Sequence, residues 1–504
     1  MKTIYYFFTI LISFFVIAIS IQSQNVKKVE IVNSDFIEFD KSSGINATKL
    51  IGNVRFMHNN VQMDCDSAYF YSEDNVIDAF GHIHVSQGDT IHLYGELLNY
   101  NGTSQVAQIR RNVRLVDDET TLTTQFLDYK IGENVGYYFN KGNIVNLDNK
   151  LRSVEGYYYA KLKTFFFKNN VVIESPKYTI ETDTMKYFTV TRTSYFIGPS
   201  YIKSKENTIY CENGWYNSNT NISQFRKNAW LKSNKQLLKG DSLYYDRNTG
   251  LGKAFNNIFL IDSSKQLILT GNFAKYIEKP EYALITDKAV MMKYSDEDTL
   301  FMHADTLQSV STDTLNENRF VKGFHHVKFF KPDIQGKCDS MVYSTIDSTM
   351  KLFGVPVIWS GVNQLTADSV QMKMVNEELD RVIFYNNSFI AQQEDSISFN
   401  QMRGKTMTAL FKQNELYKVE LRGNGESVYY AKDETKTIGV NKAECTDIDI
   451  YIKNRKPVRI VMVSKPIATL YPLDQISDQE KIIKGFVWHS DKRPLTKDDI
   501  FIWK

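Results

Sequence analysis

Residues 52–71, GNVRFMHNNVQMDCDSAYFY, contain the two signals that decide the fold. The first signal is Gly52-Asn53-Val54, and the second is Asp66-Ser67-Ala68, which is closed by the aromatic residue Phe70. Each signal belongs to a short apolar segment, and turn-forming residues separate one segment from the next. Both signals recur along the chain, which indicates an internal repeat.

The second signal, an acidic residue followed by Ser or Thr and an aliphatic residue, recurs at a steady interval. Its clearest copies begin at Asp66, Asp183, Asp241, Asp305, Asp339 and Asp368. Asp66 and Asp241 are separated by 241 − 66 = 175 residues, which is six periods of about 29 residues. Short turns at both ends of every segment force each strand to pair antiparallel with the next. The sequence therefore predicts an all-β meander of roughly 25 long strands.

The apolar pattern also predicts that these strands are bent. Same-face residues of a flat strand differ by an even number, whereas the apolar pairs Met63/Ala68 and Leu238/Leu243 differ by five. A bend at the intervening Asp-Ser/Thr pair would restore one continuous apolar face, with the Asp side chain bonded to the backbone there. The predicted bend residues are Asp66, Asp183, Asp241, Asp305, Asp339 and Asp368. Stacked bent strands would form an elongated antiparallel β-jellyroll around an apolar trough.

Composition excludes several classes of protein. The 60 Lys and Arg residues nearly balance the 58 Asp and Glu residues, so no strongly basic surface for nucleic acid is expected. Aromatic residues make up 13% of the chain, and Pro is scarce at nine residues, as suits long paired strands. Of the four cysteines, Cys65 and Cys338 occupy equivalent repeat positions many strands apart, so all four are predicted to be free.

Both ends of the chain depart from the repeat. The apolar run at 4–19, after a basic start, is short for a bilayer span and predicts a cleavable signal peptide over residues 1–23. The repeat is predicted to cover residues 24–445, followed by a strand and short-helix cap over residues 446–504. In that cap, Val458–Val463 is the predicted strand, and Ser477–Lys484 the predicted helix. The cap is predicted to cover the last sheet edge.

The motifs quoted above resemble the OstA-like (organic solvent tolerance) periplasmic domain, the bent-strand jellyroll of LptA-like lipopolysaccharide transport proteins. Lys484-Gly485-Phe486-Val487-Trp488 and the later Asp498-Asp499-Ile500-Phe501 resemble the end of the long OstA-like proteins of the Bacteroidetes group. The resemblance covers nearly the whole mature chain. This chain departs from the small bridge proteins of that family because it has many more strands.

The resemblance implies a periplasmic bridge that carries the acyl chains of lipopolysaccharide, or of its lipid A part, towards the outer membrane. It implies a periplasmic location, with outer-membrane association as a further expectation, and partners among the transport components at the inner and outer membranes. No nucleic acid and no cofactor are expected. The residues expected to line the trough are Phe56, Ile83, Val113, Leu243 and Met341.

Two other functions agree with parts of the sequence pattern. Strand regularity and abundant Tyr also suit an outer-membrane β-barrel, although such barrels have long loops at one end. A surface β-solenoid adhesin is a further alternative. No catalytic motif is present, so an enzyme is not expected. His82, His84 and His92 could place three imidazoles on one face for Zn²⁺, although a solvated polar face explains them more simply.

Overall fold

The computed structural model describes residues 27–39, 46–146, 149–295, 298–313, 318–376, 378–433, 436–454 and 456–503. The predicted signal peptide at 1–23 lies outside these residues. Two compact units are present: unit 1 comprises residues up to 147 together with 157–160, and unit 2 comprises 148–156 and 161–504. Among the described residues, no helix has the length and apolar character needed to cross a membrane.

Unit 1 is built of antiparallel strands, and its long strands each pair with the long strands next to them in the chain. Its strands are β1 Glu30–Asn33, β2 Phe36–Phe39, β3 Thr48–His58, β4 Val61–Tyr71, β5 Val76–Gln87, β6 Ile91–Asn101, β7 Val106–Asp117, β8 Thr120–Lys130, β9 Val135–Tyr138 and β10 Gly142–Asn146. Strand β12, Glu155–Tyr159, adds its residues 157–159 to this unit. The predicted antiparallel meander is confirmed here.

Unit 2 continues the same pattern over more strands. Its full-length strands begin with β13 Thr164–Ser175, β14 Tyr178–Phe188, β15 Thr193–Lys203, β16 Thr208–Asn217, β17 Ile222–Lys232, β18 Gln236–Asp246, β19 Leu251–Asp262 and β20 Leu267–Ile277. The later long strands are β25 Arg319–Lys331, β26 Ile334–Ser344, β31 Glu378–Gln393, β32 Phe399–Lys412, β33 Glu415–Asp433 and β34 Lys436–Lys453.

Several strands of unit 2 are divided into two short pieces. They are β11 Asn149–Ser153, β21 Tyr282–Thr286, β22 Val290–Tyr294, β23 Thr299–His303, β24 Thr306–Ser311, β27 Thr349–Phe353, β28 Val357–Ser360, β29 Asn363–Thr366, β30 Ser369–Val375, β35 Lys456–Val463 and β36 Ile467–Tyr471. Strand β20 pairs with both β21 and β22, so these two pieces together take the place of one long strand. The predicted all-β fold of bent antiparallel strands is confirmed in this unit also.

The bend is produced by an extra residue in every second strand. Opposite Asp66 of β4, strand β5 has Gly81 and His82, both with positive φ, and the pairing register shifts there. Two consecutive left-handed residues form such kinks at Gly52–Asn53, Gly81–His82, Arg111–Asn112, Asn169–Asn170, Lys227–Asn228, Asn256–Asn257, His325–His326, Asn386–Asn387 and Gly423–Asn424. Left-handed backbone suits Gly and Asn best, which explains their recurrence in the first sequence signal.

The kinks turn both halves of each strand towards one interior. In β4, Met63 and Cys65 are buried before the bend and Ala68 and Phe70 after it, while Asp66 points outwards. The predicted change of parity across the Asp-Ser pair is therefore confirmed. We call the half of a strand that corresponds to residues 61–65 of β4 arm I, and the half that corresponds to residues 67–71 arm II.

The carboxylates at the bends bind side chains of the neighbouring kink. Asn257 Nδ2 donates to Asp241 Oδ2 over 3.0 Å, and His82 Nδ1 lies 2.7 Å from Asp66 Oδ2. Similar contacts join His326 to Asp305, His325 to Asp339 and Asn387 to Asp368, whereas Asp183 accepts from the Thr184 hydroxyl. The prediction of backbone partners is wrong for five of these six Asp residues, because the kink of an adjacent strand presents its Asn or His side chain instead; the partner of Asp183 is also a side chain, the Thr184 hydroxyl.

The end of unit 2 differs from the predicted cap. The boundary expected between residues 445 and 446 lies within β34, and the predicted strand Val458–Val463 is part of β35. The helix predicted over Ser477–Lys484 is wrong: a hydrogen-bonded turn forms, in which the Ser477 hydroxyl bonds the Glu480 carboxylate. Downstream apolar residues then anchor the chain to the sheet instead of extending a helix.

The residues after β36 cover the outer face of arm I rather than the last edge of the sheet. Ile476 and Ile483 pack with Phe389, Val428 and Val440 in one buried cluster. Three buried glutamines on the outer face hold the backbone or side chains of this tail, by contacts of Gln401 with Lys481 and Ile483, of Gln364 with Val487 and His489, and of Gln335 with Arg493. The amide groups of these glutamines therefore anchor the tail to the face of the sheet.

Candidate functional site

The candidate site is the apolar interior between the two arms. In unit 1, the inward residues of arm I include Phe56, Leu93 and Leu115, each at most 1% exposed. Ile77 and Ile109 of arm II face the same interior and are fully buried. The interior of unit 1 is therefore a closed, close-packed core.

Tyrosines close the mouth of this interior, where the ends of the two arms meet. The Tyr100 hydroxyl of arm II lies 2.5 Å from Nδ1 of His58 on arm I. One period later, the Tyr129 hydroxyl donates to Gln87 Oε1 over 3.2 Å. One further period along, the Tyr158 hydroxyl donates to the carboxylate of Asp117. We call these three cross-mouth hydrogen bonds the tyrosine latches.

The latches are sealed from solvent. Burial raises the pKa of the Tyr100 and Tyr129 hydroxyls well above the usual value. Burial also raises the pKa of Tyr158, and the Asp117 carboxylate adds to the effect. These hydroxyls therefore remain protonated donors throughout the physiological pH range.

The interior of unit 2 is open over its middle strands. The inward residues of arm I are apolar there but only half-buried, in contrast to those of unit 1: Ile209, Leu231, Leu238, Leu260, Leu269 and Met291. They pair with one another from strand to strand, as Leu238 does with Leu260, so they form one continuous row. On arm II, Tyr245 and Tyr276 are 37% and 41% exposed. The two arms thus border an accessible apolar groove.

Buried apolar side chains beside the kinks form the floor of the groove. Leu243 and Ile258 are nearly buried beside the bend, and so is Ala254, which pairs with Leu243 on arm II. Further along unit 2, Met341 holds the equivalent position and is also buried. An apolar floor below half-exposed walls suits a linear hydrocarbon chain, because binding would remove the exposed wall area from water.

The predicted trough residues all point into the interior, but in two different settings. Phe56, Ile83 and Val113 lie in the closed core of unit 1, whereas Leu243 and Met341 lie on the floor of the interior of unit 2. Sequence reasoning missed this difference and missed the half-exposed row that includes Leu260. The sequence feature that could have indicated the closed interior of unit 1 is a set of polar residues spaced by one period, which bond the latch tyrosines: His58, Gln87 and Asp117.

The proposed triad of histidines is not assembled. His84 Nε2 lies 3.2 Å from His92 Nδ1, and their rings stack at 5.4 Å, but His82 binds Asp66 at the kink instead. Burial lowers the pKa of His84, and the neighbouring His92 acts in the same direction. In the part of the chain that the structure describes, no group of three or more His, Cys, Asp or Glu residues is placed to hold a metal ion.

The cysteines also agree with the repeat. Cys65, Cys211, Cys338 and Cys445 are all free thiols, as the sequence predicted. Burial raises the pKa of the Cys65, Cys211 and Cys338 thiols to about 12. Interior cysteines of this kind pack as small apolar side chains rather than react.

A comparison with known protein families places this architecture. The sequence profile described as OstA-like protein matches residues 26–183 and 200–296, which together make up half of the chain. The chain belongs to the OstA-like protein family. A comparison with the curated proteins gives no match. The matched ranges contain the latches of unit 1 and the open row of unit 2, and the same kinks continue beyond residue 296 in this OstA-like chain.

Proposed function

We propose that this OstA-like protein carries the acyl chains of lipopolysaccharide in its apolar interior, as part of lipopolysaccharide transport in the periplasm. The half-exposed row of unit 2, with Leu238, Leu260 and Leu269 on arm I, carries the proposal. Aliphatic side chains in contact with water normally stay scattered on a surface, whereas these form one continuous lining. Membership of the OstA-like family supports an acylated ligand rather than another apolar one.

The polar part of the ligand would remain outside the groove. The arm II rim carries Tyr245 and Tyr276 beside Glu278, and charged side chains occupy the turns. Tyrosine combines an apolar ring with a polar tip, so it suits a boundary between a hydrocarbon interior and a sugar-containing headgroup. Components at the inner and outer membranes would deliver the lipid and receive it.

The test uses two adjacent residues on opposite faces of β19. Leu260 points into the groove and Ile261 points outwards, and both are half-buried. Leu260→Asp places a carboxylate among acyl chains, whereas Ile261→Asp places the same charge on the outer surface. Binding of fluorescent palmitate, and its displacement by purified lipopolysaccharide, are measured for both variants and for the unmodified protein.

The proposal predicts that Leu260→Asp weakens palmitate binding by at least about tenfold while Ile261→Asp leaves it within about twofold, since a tenfold change corresponds to ~1.4 kcal/mol. Lipopolysaccharide should displace the probe from the unmodified protein. Equal affinities of the two variants, or failure of lipopolysaccharide to compete, would contradict the proposed site.

A further inference from the structure

The tyrosine latches recur at the period of the repeat. Their arm II members are Tyr100, Tyr129 and Tyr158, and their arm I partners precede them by 42, 42 and 41 residues. Each latch therefore spans the mouth at the same level of successive repeats. A row of such bonds is a feature of unit 1 as a whole, rather than an accident of one pair.

Additional contacts strengthen the first two latches of the row. His58 uses its second ring nitrogen to reach the backbone oxygen of Lys27, at 2.9 Å. The amide of Val29 donates to buried Asn75, so the segment at 27–29 crosses the first latch. Gln87 also approaches the backbone oxygen of Ile131, at 3.4 Å. Polar groups on both arms are thereby satisfied without water.

Unit 2 abandons this arrangement after its first strands. Tyr178 of arm I and Tyr216 of arm II still meet edge to face, with ring centroids 5.9 Å apart. At the following positions, Tyr245 and Tyr276 are 37% and 41% exposed, and partial burial together with the nearby Glu278 carboxylate raises the pKa of the Tyr245 hydroxyl. The tyrosines persist in the sequence, but among the described residues no hydrogen bond across the mouth holds either hydroxyl.

Resting on the proposed function, we propose that unit 1 is a gated compartment. Its tyrosine latches exclude acyl chains in the resting protein, while the open groove of unit 2 holds them. Side chains such as Leu93 and Leu115 already fill the interior of unit 1, so a hydrocarbon chain can enter only when arms I and II separate. Separation requires that the latch bonds break, which makes Tyr100, Tyr129 and Tyr158 the residues that control entry.

The first test maps where a photoreactive fatty acid binds. Palmitate that carries a diazirine is irradiated with the mature protein, and the labelled peptides are identified by mass spectrometry. The latch variant combines Tyr100→Phe, Tyr129→Phe and Tyr158→Phe, which removes the hydroxyls and keeps the rings. Tyr69→Phe is the matched control, because Tyr69 lies between the buried Ala68 and Phe70 and points outwards.

The gate predicts label in unit 2 alone for the unmodified protein and for Tyr69→Phe, and label in both units for the latch variant. Equal labelling of the two units in the unmodified protein would overturn the gate and leave the lipid groove intact. So would a folded latch variant whose unit 1 stays unlabelled. Absence of label from both units would instead contradict the proposed function itself.

The second test needs no lipid and covers the case in which the triple variant fails to fold. Cys65 faces the interior of unit 1 and is 7% exposed, so its alkylation reports separation of the arms. Cys211, Cys338 and Cys445 are replaced by Ala, and the rate of reaction with N-ethylmaleimide is followed. Tyr129→Phe serves as a milder variant, because its partner Gln87 is only half-buried.

The rate should rise by about tenfold or more in the triple variant, since three lost hydrogen bonds exceed the ~1.4 kcal/mol that a factor of ten requires. Tyr129→Phe should give a smaller rise, of about threefold or more. An unchanged rate in Tyr129→Phe, matching that of Tyr69→Phe, would show that the hydroxyl does not hold the mouth closed and would refute the gate.

Discussion

Replacing Gly81 with Ala tests the kink that bends each pair of strands. Gly81 has φ +72°, and a Cβ added there would lie 2.2 Å from Asp66 Oδ2. Left-handed backbone costs a residue with a Cβ about 1–2 kcal/mol. The Asp66 carboxylate must also move away, which breaks its 2.7 Å contact with His82 and costs about 0.5–1 kcal/mol at this exposed position. We expect Gly81→Ala to lower the free energy of unfolding by about 1.5–3 kcal/mol, the sum of these two costs.

Gly88→Ala is the matched control, because Gly88 lies in the turn after the same strand with φ +63° and has no atom within 4 Å of the added Cβ. Gly88→Ala should lower the free energy of unfolding only by the cost of left-handed backbone, about 1–2 kcal/mol. Urea titrations followed by circular dichroism measure both variants. In the double variant Asp66→Ala/Gly81→Ala, the added Cβ no longer meets the Asp66 carboxylate. The loss of stability in the double variant should therefore be smaller than the sum of the losses in the two single variants. If Gly81→Ala is no more destabilising than Gly88→Ala, the kink does not depend on the close approach of Asp66.

Three further predictions concern the repeat, the interior and the thiols. Deleting 183–240 removes two periods and should leave a soluble β-rich protein, whereas deleting 227–240 reverses the polarity of the next strand and should cause aggregation, as size exclusion would show. Leu115→Asp should unfold unit 1 in thermal melts, at a cost of at least ~4 kcal/mol, whereas Leu260→Asp should cost roughly 1–2 kcal/mol because water reaches the groove. Burial raises the pKa of the Cys338 thiol from 9.0 to about 12. The free energy of unfolding should therefore fall as pH rises from 9 to 12, because the unfolded thiol ionises first, and it should fall less in the variant Cys338→Ala.

The bend itself could be predicted from the sequence, but its mechanism could not. The five-residue offset between Met63 and Ala68 required a change of parity, and burial confirms it. The same offset does not reveal which strand carries the extra residue, because pairing register depends on two strands together. Gly81 and His82 carry it in β5, and His82 gives a weaker local signal for left-handed backbone than Gly does.

The sequences of single strands do not show that the interior of unit 1 is closed and that of unit 2 is open. Tyr129 and Tyr245 occupy equivalent positions and look alike in the sequence, yet one is 1% exposed and the other 37%. What separates them is a residue about 42 positions earlier that either reaches across the mouth, as Gln87 does, or fails to do so. The position of the tail after β36 could not be predicted for the same reason. The contact of Gln401 with Ile483, which holds the tail on the outer face of the sheet, joins residues that are far apart in the sequence.

Photo-crosslinking in cells tests whether the groove of unit 2 holds an acylated lipid. A benzophenone amino acid is placed at Leu243, on the floor of the groove, and at neighbouring Tyr244, which points outwards on the same strand. We predict that the probe at Leu243 captures an acylated, sugar-containing lipid of the lipopolysaccharide type, and that the probe at Tyr244 does not. Capture of protein alone at Leu243, or equal capture of lipid at both positions, would contradict it.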